Sequence, residues 1–308
     1  MLHLDRVSKA FGDRQVLDAL SFDVNTGEIY GLLGPNGAGK TTTINLICHL
    51  LNIDSGSITL NGQIISHCTK ALVGLAPQDN LLYRSLTCAE NLDFFARIYC
   101  LSRQHRLRQI AHCLDAVNLS ERANSVVSTL SGGMQRRLNI AIALIHNPQL
   151  VILDEPTTGL DIESRHDIWQ LIRKLKQQNT AILLTTHMLE EAERLCNRIG
   201  ILKAGAIAAE GSLDQLKELV SAREIVTIST EETERAIARA IELGWSHRFY
   251  GDDLALLLPE PLELRTLLER LADISLDSIV RQPVQLEHIY WEVAQSNKSP
   301  HNSFLSPT

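Results

Sequence analysis

"GPNGAGKTT" runs from Gly34 to Thr42 and fits the spacing G-x-x-x-x-G-K-[ST]. The apolar run "EIYGLLG" (28–34) leads into it, and the helix-patterned "TTTINLICHLL" (41–51) follows. A strand, a glycine-bearing turn and a helix start, in that order, aim successive backbone N–H groups at one point and form a phosphate cradle. Gly34, Pro35, Asn36, Gly37, Ala38, Gly39 and Thr42 supply the loop. Lys40 has the reach and charge for β- and γ-phosphates, and the Thr41 hydroxyl is a ligand for Mg²⁺.

Working outward, "LVILDE" (150–155) and "TAILLTTH" (180–187) are compact apolar runs of strand length, with the helical "ESRHDIWQLIRKLKQQ" between them. Such runs alternating with helices predict an α/β domain built on buried parallel strands. "LVILDE" delivers Asp154 and Glu155 to the carboxyl end of its strand, where such folds bind ligands. Asp154 is expected to support a Mg²⁺ shell, directly or through water, and Glu155 to polarise a water for attack on the γ-phosphate. Between about 85 and 148 the pattern is almost wholly helical, which predicts an inserted helical subdomain. That stretch contains "LSGGMQRRLN" (130–139), a second candidate anion site at a helix start. A serine there would cap the helix in any case, but capping does not explain the paired glycines.

The phosphate loop, then "LSGGMQ", "VILDEPTTGLD" and "LLTTH", is the motif order of ATP-binding-cassette (ABC) ATPases, and residues 1 to about 215 resemble that family. The resemblance implies a P-loop NTPase that binds and hydrolyses ATP with Mg²⁺. It also implies a head-to-tail dimer, with a second copy of itself or a related ATPase subunit, in which each signature segment completes the partner's site. Ser131, Gly132, Gly133 and Gln135 would then face ATP held by the other chain, Met134 standing at the fifth signature position. Gln78 in "LAPQDN" matches the glutamine that contacts Mg²⁺ and the attacking water and adjoins the surface that meets the transmembrane partner. His187 matches the switch histidine on the γ-phosphate, and Asp161 the residue that links the two sites across the dimer. Phe11 stands where the family often stacks a tyrosine on adenine.

The whole chain is consistent with such a machine. Its 308 residues, 44% hydrophobic and 21% charged, have ample material for a core. No run approaches the roughly 20 apolar residues that span a bilayer, and the N-terminus carries charges where a signal peptide needs an apolar region. The six cysteines form no C-x-x-C pair and read as reduced thiols of a cytosolic protein. Most of the −7 formal charge falls on residues 221–308, where 8 Lys and Arg face 14 Asp and Glu. No basic stripe marks a nucleic-acid binder, so no nucleic-acid partner is expected.

After about 220 the pattern changes to β-α-β-β-α-β, from "REIVTIST" to "SLDSIVRQ", with a last helix "LEHIYWEVA". That order predicts a small α+β, ferredoxin-like accessory domain over 221–294, with a polar, disordered tail at 295–308. "LLYRSLTCAENLDFFARIY" (81–99) and the terminal "QLEHIYWEV" resemble the exporter-type ATPases that drive drugs, lipids or polysaccharides outward. The chain is thus expected on the cytoplasmic face of a membrane, beneath separate permease subunits. The alternative is a soluble ABC ATPase that serves translation or DNA. Translation-type members usually carry two cassettes and repair-type members a long coiled coil; this chain carries one cassette and no sustained heptads. A module that only holds ATP would have lost Glu155 or His187, and both are present.

Overall fold

The computed structural model describes residues 1–295. It divides into two compact units, the first Met1–Ser212 and the second beginning at Leu213. In the first unit the strands are β1 (Leu2–Phe11), β2 (Arg14–Val24), β3 (Ile29–Leu33), β4 (Ser55–Leu60), β5 (Gln63–Ile64), β6 (Val73–Ala76), β7 (Leu150–Asp154), β8 (Ala181–Thr186), β9 (Arg198–Lys203) and β10 (Ala206–Gly211). Its helices are α1 (Lys40–Ile47), α2 (Cys88–Ile98), α3 (Arg103–Ala116), α4 (Gly132–Leu144), α5 (Ile162–Gln177) and α6 (Leu189–Leu195).

One sheet has the order β10-β9-β3-β8-β7-β6, parallel from β9 to β6, with β10 antiparallel at one edge. Every residue of β3, β7 and β8 is buried, because the sheet is covered on both faces. Alternate side chains serve separate cores, as the pleat requires. Val151, Leu153, Ile182 and Leu184 pack with Leu92, Leu138, Ala141 and Trp169 from the helices. Leu150, Ile152 and Leu183 face the other way and meet Ile44 and Ile47 of α1 and Leu4, Leu20 and Phe22 of the second sheet. An Ile152→Ala truncation would cost about 2–5 kcal/mol on this account.

That second sheet, antiparallel in the order β2-β1-β4-β5, has no clear signal in the first 27 residues. Register shifts interrupt the β1–β2 pairing, and Arg6 and Ala19 take left-handed φ values of 46° and 48°, so the two-residue alternation is broken. The helical insert consists of α2, α3 and α4, and α4 also packs against β6 and β7. Helix α1 ends at Ile47, short of the stretch expected to be helical, where His49 adopts a left-handed φ of 50°.

The second unit contains α7 (Leu213–Lys217), β11 (Glu224–Ser229), α8 (Thr233–Glu242), β12 (Ser246–Tyr250), β13 (Asp253–Leu258), α9 (Leu264–Arg270), β14 (Ser278–Pro283) and α10 (Leu286–Gln295). It starts eight residues earlier than the change of sequence pattern because α7 packs against α10 and buries Leu216. Its sheet is antiparallel, in the order β12-β13-β11-β14. Val226, Ile228, Leu254 and Leu256 pack with Ala236 and Ala240 of α8, Leu267 of α9 and Leu271 at its C-cap. The tail expected to be disordered lies outside the described residues, apart from Gln295, which ends α10.

Candidate functional site

The sheet order determines what can meet. Strands β3, β8 and β7 are neighbours, with Leu33 paired to Thr186 and Asp154 to Thr185. Their carboxyl ends therefore bring the phosphate loop, His187 and the Asp154–Glu155 pair to one rim. An open cavity of about 280 Å³ lies there, lined by Arg14, Val16, Asn36, Gly37, Gly39, Lys40, Thr41, Thr42, Gln78 and Glu155.

Gly39 precedes α1 with φ 116°, and a Cβ there would stand 2.6 Å from Leu17 Cδ2. Only glycine fits that turn, and the turn sets the direction of the helix. Lys40 is buried, and its Nζ donates to the carbonyls of Gly34 (2.8 Å) and Pro35 (3.2 Å). The same nitrogen lies 3.4 Å from Glu155 Oε1, which in turn lies 3.1 Å from His187 Nδ1. The carboxylate thus sits between the Lys40 ammonium and the His187 ring. Burial raises the Glu155 carboxyl, but the hydrogen bond and charge of His187 and the charge of Lys40 outweigh it and hold it below its ordinary value. Glu155 is also held at φ 46°, a strained value for a residue with a Cβ, while its N–H still donates to Thr185 O at 2.9 Å. Asp154 accepts from the Thr185 hydroxyl at 2.5 Å. Its burial raises it above the usual carboxylate range, against the pull of that hydrogen bond, and the charge of Glu155 adds to the rise.

The expected residues divide into two groups. Asn36, Gly37, Gly39, Lys40, Thr41, Thr42, Gln78 and Glu155 meet in the cavity, and His187 joins them through Glu155, while Gly34, Pro35, Ala38 and Asp154 do not line it. The signature does not line that cavity. Ser131 instead caps α4, its Oγ accepting from Met134 N at 3.3 Å, and Gln135 Nε2 donates to Leu130 O at 3.0 Å. Gly133 lies against α5, where a Cβ would approach Ser164 Oγ to 2.5 Å. Asp161 caps α5 by accepting from Ser164 N at 2.8 Å, and that bond holds its carboxyl below the ordinary range. Signature and Asp161 therefore share one surface. Phe11 is half exposed and outside the cavity wall, whose nearby residues are Arg14 and Val16.

Two buried charges went unnoticed in the sequence. Arg136 of α4 donates to main-chain carbonyls of Pro77, Gln78, Asp154 and Pro156. Burial pulls its guanidinium below the ordinary value, and the charges of Asp154, Glu191, Asp79 and Glu155 oppose that pull. Glu191 of α6 accepts from Thr157 Oγ1 (2.7 Å) and Trp169 Nε1 (3.2 Å), so the helix after His187 is fastened to the segment after Glu155.

A family model described as ABC transporter matches residues 17–158, which span the phosphate loop, the signature and the Asp154–Glu155 pair. The linearmycin resistance ATP-binding protein of Bacillus subtilis (strain 168) is 40% identical over 244 residues, covering 78% of each chain. The chain belongs to the ABC transporter ATP-binding family. A Nod factor export ATP-binding protein I from Cupriavidus metallidurans, 36% identical, aligns over 94% of this ABC ATPase and 96% of its own length. Among solved structures, an ATP-binding subunit of an ABC transporter superposes with a TM-score of 0.64 at 33% identity, over 71% of this chain and 92% of that one. A dimeric ATP-binding cassette in a post-hydrolysis state, bound to ADP and Pi, superposes with a TM-score of 0.61 at 28% identity, over 69% of this chain and 98% of that one. The protein is thus an ATP-hydrolysing ABC subunit, with Lys40, Glu155 and His187 in contact at the site.

Proposed function

We propose that this ABC ATPase powers an exporter, by closing head to tail with a second copy or a related ATPase subunit around ATP. The observation that carries the reading is the division described above. The phosphate loop has its lysine, carboxylates and histidine assembled in its own chain, whereas the signature helix start is solvent-facing and lines no part of that cavity. A partner's ATP accounts for it. The names of the similar proteins, for Nod factor export and linearmycin resistance, support the export direction.

In this reading Lys40 holds the β- and γ-phosphates, and Phe11 stacks on the base. Glu155, kept ionised by His187 and Lys40, takes the proton of the attacking water. His187 contacts the γ-phosphate and orients Glu155 through the 3.1 Å contact. Gln78 orients the water. Thr41, Gln78 and Asp154 offer only oxygen donors, the chemistry a Mg²⁺ ion requires, and they are its proposed holders. When bound, the ion would neutralise phosphate charge.

Among the described residues no helix is long and apolar enough to cross a membrane. Separate permease subunits would be the moving load, with the ATPase on the cytoplasmic face. A cavity of about 220 Å³ beside the Gln78 loop, walled by Cys48, Leu50, Leu81, Phe95 and Tyr99, is the proposed seat for a permease segment. Its apolar walls and its position next to Pro77 would let permease movement reach Gln78. The second unit reads as a ferredoxin-like accessory domain; its β-α-β-β-α-β order and sheet order support this.

The test is affinity purification of the tagged chain from detergent-solubilised membranes of its host. A copurifying polytopic protein is the expected result. Recovery with ribosomes or nucleic acid, and without any membrane protein, would overturn the transport assignment.

A further inference from the structure

Arg136 is an expensive residue to bury. A guanidinium taken out of water loses its hydration, a large cost unless its donors and charge are matched. Among the described residues no carboxylate lies within ion-pair distance of it. Its donors go instead to four carbonyls: Nε to Pro156 O (2.8 Å), Nη2 to Asp154 O (2.7 Å), and Nη1 to Gln78 O (3.0 Å) and Pro77 O. Asn139, one turn further along α4, donates Nδ2 to the same Pro77 O at 3.1 Å. A side chain serving only to fill space would be apolar here, since apolar replacements of buried ions are commonly neutral or stabilising.

The four acceptors belong to two segments that the reaction needs in register. Pro77 and Gln78 form the loop that carries the cavity's amide. Asp154 and Pro156 bracket Glu155, whose backbone is already held at φ 46°. The planar guanidinium, with donors fixed at set angles, fits this role better than a lysine ammonium. Arg136 lies only five residues after Ser131, on the helix whose N-terminus would face the partner's ATP.

We propose that Arg136 is a positioning residue. It fastens the Gln78 loop and the backbone on both sides of Glu155 to the signature helix, so that a shift of that helix moves the water-orienting amide and the base of the chain's own site together. This rests on the roles given above to Gln78 and Glu155. The side chain does not line the cavity itself. Its removal should leave nucleotide binding intact, because Lys40 and the phosphate loop are held by their own contacts, and should depress turnover.

The test uses the full chain with Arg136→Lys and Arg136→Gln. Three quantities are read: ATP affinity without turnover, kcat, and backbone amide exchange. The expected result is ATP affinity within about threefold of wild type and kcat lower by about 10²-fold, the scale of a misplaced catalytic group. Exchange should be faster at residues 78–80, with α4 still protected. Arg136→Lys, which keeps the charge but not the fork, should fall between wild type and Arg136→Gln. Unchanged kcat in a folded Arg136→Gln would overturn the proposal. So would a kcat loss matched by equal loss of ATP affinity and of protection throughout α4, or failure of both variants to fold, since either outcome makes the residue a structural one. Gln78→Ala, run alongside, separates the premise from the proposal. Wild-type turnover there removes the role of Gln78, while exchange at 78–80 still reports the tether.

Discussion

Two helices in the first unit begin at glycine-rich turns suited to phosphate, and they differ in what surrounds them. At the start of α1 the chain assembles a buried lysine, a strained glutamate and a histidine within 3.4 Å of one another in sequence of contact. At the start of α4 there is a serine cap, an exposed glycine and, close by on the shared surface with α5, Ile162 at 72% exposure. The first is a finished site. The second has the dipole and donors of an anion site but, among the described residues, lines no part of the cavity that holds Lys40 and Glu155. On the proposed reading, this open helix start is the surface that meets the partner ATPase.

Breaking the finished site should have the largest effect. Glu155→Gln removes the proposed base while keeping the shape and the Thr158 neighbour, and steady-state ATPase assays should show turnover lower by about 10²–10⁴-fold with ATP still bound. Wild-type turnover would remove Glu155 from the chemistry. Ser131→Arg attacks the open site instead. It should lower turnover by about 10²-fold, the scale of losing one transition-state donor, with ATP affinity of the isolated chain unchanged, as titration calorimetry would show. If affinity fell as well, the two helix starts would not be independent within one chain.

Smaller effects sharpen the comparison. His146, two residues past the end of α4, stacks on Tyr99 with centroids 3.7 Å apart and places its Nε2 3.1 Å from Val73 O, while its Nδ1 has no partner among the described residues. Burial pushes it from 6.5 down to about 4. The unfolded chain binds the proton at higher pH than the folded one, so stability is whole above about 6.5 and falls as pH drops from 6.5 towards 4. Denaturant midpoints measured across that window should fall for wild type and much less for His146→Gln. ATPase activity near neutral pH should not register the change. The smallest expected effect is Phe11→Ala. An aromatic stack is worth about 0.5–1.5 kcal/mol, so ATP affinity should weaken by only about two- to tenfold, and Phe11→Trp should restore it. No loss at all would leave the base to Arg14 and Val16.

Much of the finished site was legible because its residues end strands or open helices within short linear motifs. Asp154, Glu155 and His187 each follow an apolar run whose burial the pattern already implies, Lys40 opens the helix after the glycine loop, and sheet order then makes them neighbours. Arg14 and Val16 were not legible, since they come from a hairpin whose bulges hide the strand alternation. Nor was Arg136: nothing in "QRRLN" separates it from Arg137, which is only half-buried, until the helix is seen against the Gln78 loop. Phe11 is assigned from the family resemblance alone, which gives a position in the chain but not the direction of the ring, and the ring does not line the cavity. The change at about 220 marked a second unit, while its true start at Leu213 depends on packing between α7 and α10 that no local pattern encodes.

The most direct test of the open-site account is light scattering on Glu155→Gln with and without ATP, repeated with Ser131→Arg added. The account predicts a monomer without ATP, a dimer with it, and a monomer in both conditions once Ser131 is replaced. A double variant that dimerises with ATP as readily as Glu155→Gln alone would contradict it, because the signature helix would then have no part in closing the pair.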